Sequence, residues 1–345
     1  MPQNIFKLLK DSRGRSISGP ELSKALGITR AAVWKKIGLL RAEGFLIDSS
    51  KNGYRLSGGP ELCKRLLSYS LPQTEIVFQE QMPSTNDLAL LMAMGKDQKN
   101  AGGRTGAPGS SLSGLVVAGS QTAGRGRLGR KWLSPHGVNI YMSAAMRPEL
   151  PPRKAPLLAL AAGLASVLAI KGQAGLDVRL KWPNDIIVPE GKNKTRNAKK
   201  LGGILVELRS DPDRVLSAAI GIGINANMKA KDMPREIRTA ATSIFDETGR
   251  AVDLAAMIAA IYRELDYWAG MLHKRAADGE QKKQKLLKAY RNLCDTIGRQ
   301  IRIQAEGGSF TGTAYGIDDD GRLSLKTAEG MLRFSTGDVQ SVREN

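Results

Sequence analysis

Within nine residues, Gly124-Arg125-Gly126-Arg127-Leu128-Gly129-Arg130-Lys131-Trp132, the chain places three glycines, four cations and an indole. Glycine lets backbone N–H groups approach a ligand closely, while arginine and lysine supply fixed charge and donors for phosphate or carboxylate oxygens. The combination suits a polyanion. Gly124, Gly126 and Gly129 fit the spacing G-x-G-x-x-G, but Ser134-Pro135 breaks the chain before any long helix, so a dinucleotide fold lacks its context. The pattern G-x-x-x-x-G-K-[ST] is not met either. A solvated basic loop is the competing interpretation.

Four further groups of residues could join this loop in one site. Ser84-Thr85-Asn86 stands where a helix begins, a corner at which unpaired backbone N–H groups can meet a polar ligand, although simple capping is the commoner use. Gln121 lies just before the loop. Lys181-Trp182-Pro183-Asn184-Asp185 ends a strand, Lys200-Leu201-Gly202-Gly203 opens the strand that closes on Glu207, and Gly221-Ile222-Gly223-Ile224-Asn225 ends another. His136 and His273 are the only histidines, and Cys63 and Cys294 the only cysteines. A zinc site, a His-based triad and a disulfide framework are therefore poorly supported, and the chemistry falls to Lys, Arg, Asp and Asn.

These groups need elements to position them. In residues 1–57, Ile5–Lys10 reads as a helix. Ser18-Gly19-Pro20-Glu21 caps a second helix whose apolar side holds Leu22, Ala25 and Leu26, and Gly27 ends it. Thr29 caps a third, with Val33, Ile37 and Leu40 at helical spacing. Two short strands follow around Asn52-Gly53. This order is a winged helix-turn-helix, with Thr29, Arg30, Trp34, Lys35 and Lys36 facing outward toward DNA. Eleven basic residues against four acids give this unit +7 of the chain's +19. A protein-interaction domain of the same fold is the alternative, since fold does not fix function.

Beyond a short amphipathic linker, Gly58 to Leu71, an α/β domain begins near Glu75. It contains strands around Ile76–Gln79, Leu115–Ala118, Asn139–Ser143, Val178–Lys181, Ile186–Val188, Gly203–Leu208 and Ala218–Ile224, an Ala/Leu-rich helix at Leu157–Gly172 and a long helix at Asp253–Lys274. Two polar stretches, Lys96–Ser113 and Pro189–Lys199, read as insertions. From Gly298 the pattern changes to short strands, predicting a small β-barrel. The fold class is thus α+β, with domains at 1–60, 72–290 and 295–345. The most apolar run, Leu157–Ile170, is short for a membrane span, and Met1–Lys10 lacks a leader pattern, so a soluble cytoplasmic protein is expected.

Taken in order, the five motifs resemble those of the biotin protein ligases, and the DNA-binding unit in front of them resembles the bifunctional group that also represses the biotin operon. The resemblance runs over essentially the whole chain. It implies a C-terminal SH3-like β-barrel, and a reaction in which biotin and MgATP give biotinyl-5′-AMP before biotin passes to one lysine of a biotin carboxyl carrier protein. It further implies that Ser84, Thr85, Asn86 and Gln121 hold biotin, and that Arg125, Gly126 and Arg127 close over carboxylate and phosphate. Lys200 would reach the same oxygens. Arg127, Arg130, Lys131, Trp132, Asn184 and Lys200 would contact the nucleotide, with Trp132 near adenine. Arg125, Arg127, Lys200 and Asp185 are the catalytic candidates. Asp185 either orients the acceptor lysine, takes its proton, contacts a metal or is only a turn carboxylate, and Trp182 and Pro183 read as packing and turn residues. The resemblance also implies a ligand-dependent homodimer on operator DNA, with residues 124–132 as the lid. The alternatives are a non-catalytic biotin-sensing regulator and, less well matched, a lipoate ligase.

Overall fold

A computed structural model describes residues 4–95, 111–148, 150–189, 198–272 and 279–341. Most of the two insertions and His273 lie outside these residues. The chain divides into two units, Met1–Pro72 and Gln73–Asn345.

In the first unit, α1 (Ile5–Asp11), α2 (Gly19–Leu26) and α3 (Arg30–Ala42) precede the hairpin of β1 (Leu46–Ser50) and β2 (Gly53–Gly58). Ser18 and Glu21 form a reciprocal capping box on α2, and Gly27 ends that helix in the left-handed region at φ 64°. The Thr29 hydroxyl accepts from Ala32 N to cap α3. Phe6, Leu9, Leu22, Val33, Ile37 and Leu40 form the core. Ala25, expected on the apolar side of α2, is exposed. Gly53, at φ +113°, is required twice over: a Cβ there would stand 2.1 Å from the Ile17 carbonyl oxygen. Arg41 ties α3 to the wing by donating to the Ile47 carbonyl at 2.6 Å. The stretch after Gly58 contains a helix, α4 (Lys64–Ser70), whose Leu67 is buried and whose Leu66 and Tyr69 pack on this core, so it is part of the unit.

The second unit holds a mixed seven-stranded sheet. Its strands are β3 (Ile76–Met82), β4 (Leu112–Gln121), β5 (Ile140–Met146), β6 (Arg179–Lys181), β7 (Asp185–Val188), β8 (Lys199–Ser210) and β9 (Val215–Ile224), in the order β3-β4-β5-β9-β8-β7-β6. Only β3 and β4 are parallel. α5 (Thr85–Met94) packs on β4, β5 and β9 through a cluster that includes Ala89, Ala93, Val116, Tyr141, Ala145 and Ala219. β5 is buried along its entire length, because α6 (Pro156–Ala174) and α9 (Leu254–Gly270) pack on each other and on the sheet. The apolar helical run spans Pro152–Ala174 and is long enough to cross a membrane, but 67% of its most apolar window is buried inside the fold. It is a core helix, which explains its near-continuous Ala and Leu.

Between β9 and α9 lie two short helices, α7 (Arg235–Arg238) and α8 (Ile244–Thr248), and α10 (Gly279–Leu293) packs on α6; the apolar pattern of the sequence does not announce these three. The C-terminal region is antiparallel: β10 (Gln300–Ala305), β11 (Gly308–Ile317), β12 (Leu323–Thr327), β13 (Gly330–Phe334) and β14 (Asp338–Ser341), ordered β13-β12-β11-β10-β14. Where the sequence predicts a small barrel, this is a five-stranded sheet, and among the described residues no pairing of β13 with β14 closes it. Trp182, whose peptide bond to Pro183 is cis, is buried and donates from Nε1 to the Gly321 carbonyl at 3.2 Å, fastening this sheet to the larger one.

Candidate functional site

A cavity of about 830 Å³ opens at the ends of β4, β8 and β9, beside the start of α5. All thirteen ligand-binding and catalytic candidates read from the sequence line it, although they come from four separate segments. They divide into a neutral floor and a cationic wall.

The floor begins with α5, whose N-cap Ser84 makes no side-chain cap bond. Thr85 and Asn86 sit in the first turn, are buried, and bond to the sheet instead. Thr85 N donates to Gln121 Oε1 at 2.9 Å, and Gln121 Nε2 donates to Ser134 Oγ at 3.1 Å. The Ser143 hydroxyl, on β5, lies 2.6 Å from both Thr85 Oγ1 and Asn86 Oδ1. Asn86 Nδ2 donates to Glu207 Oε2 at 2.7 Å and to the Leu205 carbonyl at 3.2 Å. A Cβ at Gly221 would lie 2.3 Å from Asn86 Oδ1, so glycine is what allows the amide to lie against β9.

The wall is the basic loop, folded back on itself. Trp132 N donates to the Gly124 carbonyl at 2.9 Å and Gly126 N to the Arg130 carbonyl at 2.7 Å, which sends the tip through left-handed Leu128 (φ 56°) and Gly129 (φ 71°). Each arginine meets a partner from another segment. Arg125 donates to Asp87 Oδ1 at 2.5 Å and to Glu207 Oε2 at 3.2 Å, and its pKa is raised chiefly by Asp87. Arg127 is half-buried, donates to Asn184 Oδ1 at 2.9 Å and to Thr336, and has its pKa lowered by desolvation. Arg130 bonds to Asp338, which raises the guanidinium pKa and lowers that of the carboxylate. Lys131 is exposed.

Opposite the loop, Lys200 pairs with Asp185 at 2.7 Å. Its Nζ lies 5.6 Å from the centre of the Trp132 ring. That indole lies over Gly223, where a Cβ would approach to 2.7 Å, and its Nε1 is buried with no hydrogen-bond partner among the described residues. Lys200 N donates to the Ala240 carbonyl and Thr242 N to the Lys200 carbonyl, at 2.8 and 2.9 Å, so the segment carrying Pro234, Ile237, Ala240 and Ala241 forms another side of the cavity. The sequence reading missed this side, along with Asp87, Ser143, Thr336 and Asp338. Asp87 was findable as the acid next to Ser84-Thr85-Asn86, and Glu207 as the one acid within an apolar strand. Thr336 and Asp338 carry no such signal.

Among the described residues no three His, Cys, Asp or Glu groups gather into a metal cluster. Asp185 is a carboxylate on the cavity wall beside a lysine, so a cation there would have to bring most of its ligands with it.

In the first unit Thr29, Arg30, Trp34, Lys35 and Lys36 are all exposed, Trp34 to 70%. Arg30, Trp34, Lys35 and Lys36 lie on the part of α3 left outside its buried stripe of Val33, Ile37 and Leu40, and Thr29 is its N-cap.

Three families of known domains match the chain: an HTH domain at residues 3–55, the Biotin/lipoate A/B protein ligase family at 109–226, and the Biotin protein ligase C terminal domain at 296–341. The bifunctional ligase/repressor BirA of Bacillus subtilis (strain 168) is 36% identical over 98% of this chain and 98% of its own length. The protein of the same description from Escherichia coli (strain K12) is 29% identical over 99% of this chain and 97% of its own. Among solved structures, the biotin protein ligase from Aquifex aeolicus in complex with biotin and ATP superposes with a TM-score of 0.58 at 26% identity, covering 78% of this chain and 99% of that one.

Proposed function

The chain belongs to the biotin protein ligase family, in its bifunctional ligase/repressor group, and from that premise we propose how its cavity and its α3 surface divide the work. It is an ATP-dependent biotin protein ligase, with a helix-turn-helix domain for DNA. The single observation that supports our site assignment is the convergence of Arg125, Arg127, Asn184 and Lys200 on one cavity whose floor is neutral and hydrogen-bonding.

The floor of Ser84, Thr85, Asn86 and Gln121 takes the biotin ring, and its carboxylate reaches toward Arg125, Arg127 and Lys200. A carboxylate oxygen attacks the α-phosphorus of MgATP, the bond to the β-phosphate oxygen breaks, and pyrophosphate leaves with biotinyl-AMP remaining. Negative charge builds on the α-phosphate oxygens, and fixed cations in a water-poor site stabilise it more than water could. Mg²⁺ would be held chiefly by the nucleotide phosphates, with Asp185 the carboxylate beside Lys200 on the wall, and would supply charge neutralisation there. In the second step the acceptor ε-amine attacks the acyl carbon, AMP leaves, and the amine gives up a proton. Asp185 stands on the wall to accept or orient it, once Lys200 has turned to the phosphate. Trp132 and Asn184 face the nucleoside, and Arg130 and Lys131 flank the phosphates from the mouth.

The acceptor is a biotin carboxyl carrier protein, and the DNA partner is an operator read by Thr29, Arg30, Trp34, Lys35 and Lys36. A ligand-dependent homodimer would supply the two-fold pairing an operator demands. We read the C-terminal sheet as the SH3-like module of the family, the domain limits as 1–60, 72–290 and 295–345, and the cytoplasm as the site of action. Incubating the chain with labelled biotin, MgATP and a carrier domain tests the catalytic assignment. Labelled carrier is expected, whereas labelled adenylate without labelled carrier would make the chain a biotin sensor. Gel shifts on operator DNA with and without biotin and ATP test the regulatory half, and retardation indifferent to both ligands would count against it.

A further inference from the structure

The geometry points to Glu207 as a positioning residue that fixes the hydrogen-bond polarity of the biotin floor, so that the Thr85 hydroxyl presents an open acceptor to a ligand N–H. This inference rests on the floor being the biotin subsite, as proposed above.

Asn86 Nδ2 faces two groups, the Glu207 carboxylate at 2.7 Å and the Leu205 carbonyl at 3.2 Å. Paired with Arg125, Glu207 acts as an acceptor, and a carbonyl can only accept. Turning the amide over would set Asn86 Oδ1 against both, so the carboxylate dictates which end of Asn86 meets β5. That end is Oδ1, and Ser143 must donate to it. Ser143 has one hydroxyl hydrogen, so it cannot also donate to Thr85 Oγ1, and the 2.6 Å contact between the two hydroxyls requires Thr85 to donate instead. Gln121 Oε1 accepts from Thr85 N at 2.9 Å and lies 3.2 Å from Thr85 Oγ1, a longer contact than the one to Ser143, so the Thr85 proton goes to Ser143. Among the described residues no other group donates to Thr85 Oγ1, so its lone pairs remain for the cavity that it lines. A cyclic urea carries N–H groups for such an acceptor, whereas a ring without N–H does not.

Glu207 serves a second group at the same time, since it also receives Arg125 NH2 at 3.2 Å. It thereby holds the amide of the floor and the first cation of the wall in one register. The sequence feature beneath this is alternation on β8, which sends Glu207 and Leu205 to one face of the sheet, with Gly221 opposite Leu205 on β9 leaving room for Asn86.

Glu207→Gln replaces an obligatory acceptor with a group that can also donate, which leaves only the longer contact to the Leu205 carbonyl to hold Asn86 in this orientation. Ser143→Ala breaks the relay further along without touching Arg125. Biotin affinity measured by calorimetry without nucleotide should weaken about tenfold in each, as loss of one well-placed hydrogen bond implies. In Ser143→Ala, which leaves Arg125 and its partners intact, the KM for ATP should stay unchanged, whereas a general loosening of the site would raise both constants. Combining the two changes should weaken biotin no further than Glu207→Gln does alone. Undiminished biotin affinity in a folded Ser143→Ala variant, or multiplying effects in the double variant, would overturn the relay. Should Glu207→Gln not fold, Ser143→Ala alone still decides. A wild-type chain that does not bind biotin at all would sink the ligase assignment itself, while binding with unshifted variants would sink only this inference.

Discussion

The cations of α3 and those of the ligand cavity differ in company rather than in kind. Among the described residues no carboxylate pairs with Arg30, Lys35 or Lys36, and all three stand in solvent. In the cavity Arg125 faces Asp87 and Glu207, Arg130 faces Asp338, and Lys200 faces Asp185. Unpaired cations suit a continuous polyanion such as a DNA backbone, which supplies the missing charge wherever it docks and gains from counterion release. Paired cations suit a discrete ligand, because partners fix their direction beforehand and the ligand phosphate then competes with an already oriented group. Under the proposed assignment the same residue types perform two tasks, and the acids decide which.

The greatest expected effect follows from removing the cation that pairs with Asp185 and faces the Trp132 ring. Lys200→Met should reduce carrier labelling about 10²- to 10³-fold, the usual cost of losing one charge-stabilising donor, and a loss under about threefold would break the contrast with α3. On the α3 side, replacing Arg30, Lys35 and Lys36 by alanine should lower the slope of log affinity against log salt by about 2.7, if each meets one phosphate. A salt titration of operator binding checks this, and an unchanged slope would mean that the free cations serve another partner.

Two glycines on β9 sharpen the division within the cavity itself. A methyl group at Gly221 meets Asn86 at 2.3 Å, and one at Gly223 meets the Trp132 indole at 2.7 Å. Overpacking of about 1–3 kcal/mol implies roughly a tenfold rise in KM for biotin in Gly221→Ala and for ATP in Gly223→Ala. Equal rises for both substrates in both variants would show that floor and wall are one unit.

The smallest effect concerns pH. Arg130 depresses the pKa of Asp338, so their contact contributes fully above the ordinary carboxylate range and is lost as pH falls through the depressed value. Hydrogen exchange of residues 126–132 should therefore be unaltered by this pair between neutral pH and about pH 5, after correction for intrinsic rates, and should rise only in stronger acid. Asp338→Asn should remove that acid step, and persistence of the step would point to another carboxylate.

Much of this molecule is legible in its residues. Ser18, Gly27, Thr29 and Gly53 punctuate the N-terminal unit through capping oxygens and left-handed backbone, which are local effects and survive in any context. β4 and β9 announce themselves by unbroken apolar runs, because both faces of the sheet are covered. α10 does not: its Lys and Gln outweigh a narrow stripe of Leu286, Leu287 and Tyr290. The expected linker after Gly58 contains a helix because Leu66 and Tyr69 pack on apolar residues far earlier in the chain.

For the site the boundary falls in the same place. The order of residue types along the chain settled which groups could bind an acyl phosphate, since glycine, guanidinium and ammonium have properties that depend on no neighbour. Which acid each cation would face, and that Asn86 would be held by Glu207 across the sheet, was decided only when strand register brought residues over a hundred positions apart within hydrogen-bond reach. Charge belongs to the residue, but the direction in which it points depends on contacts that exist only in the folded chain.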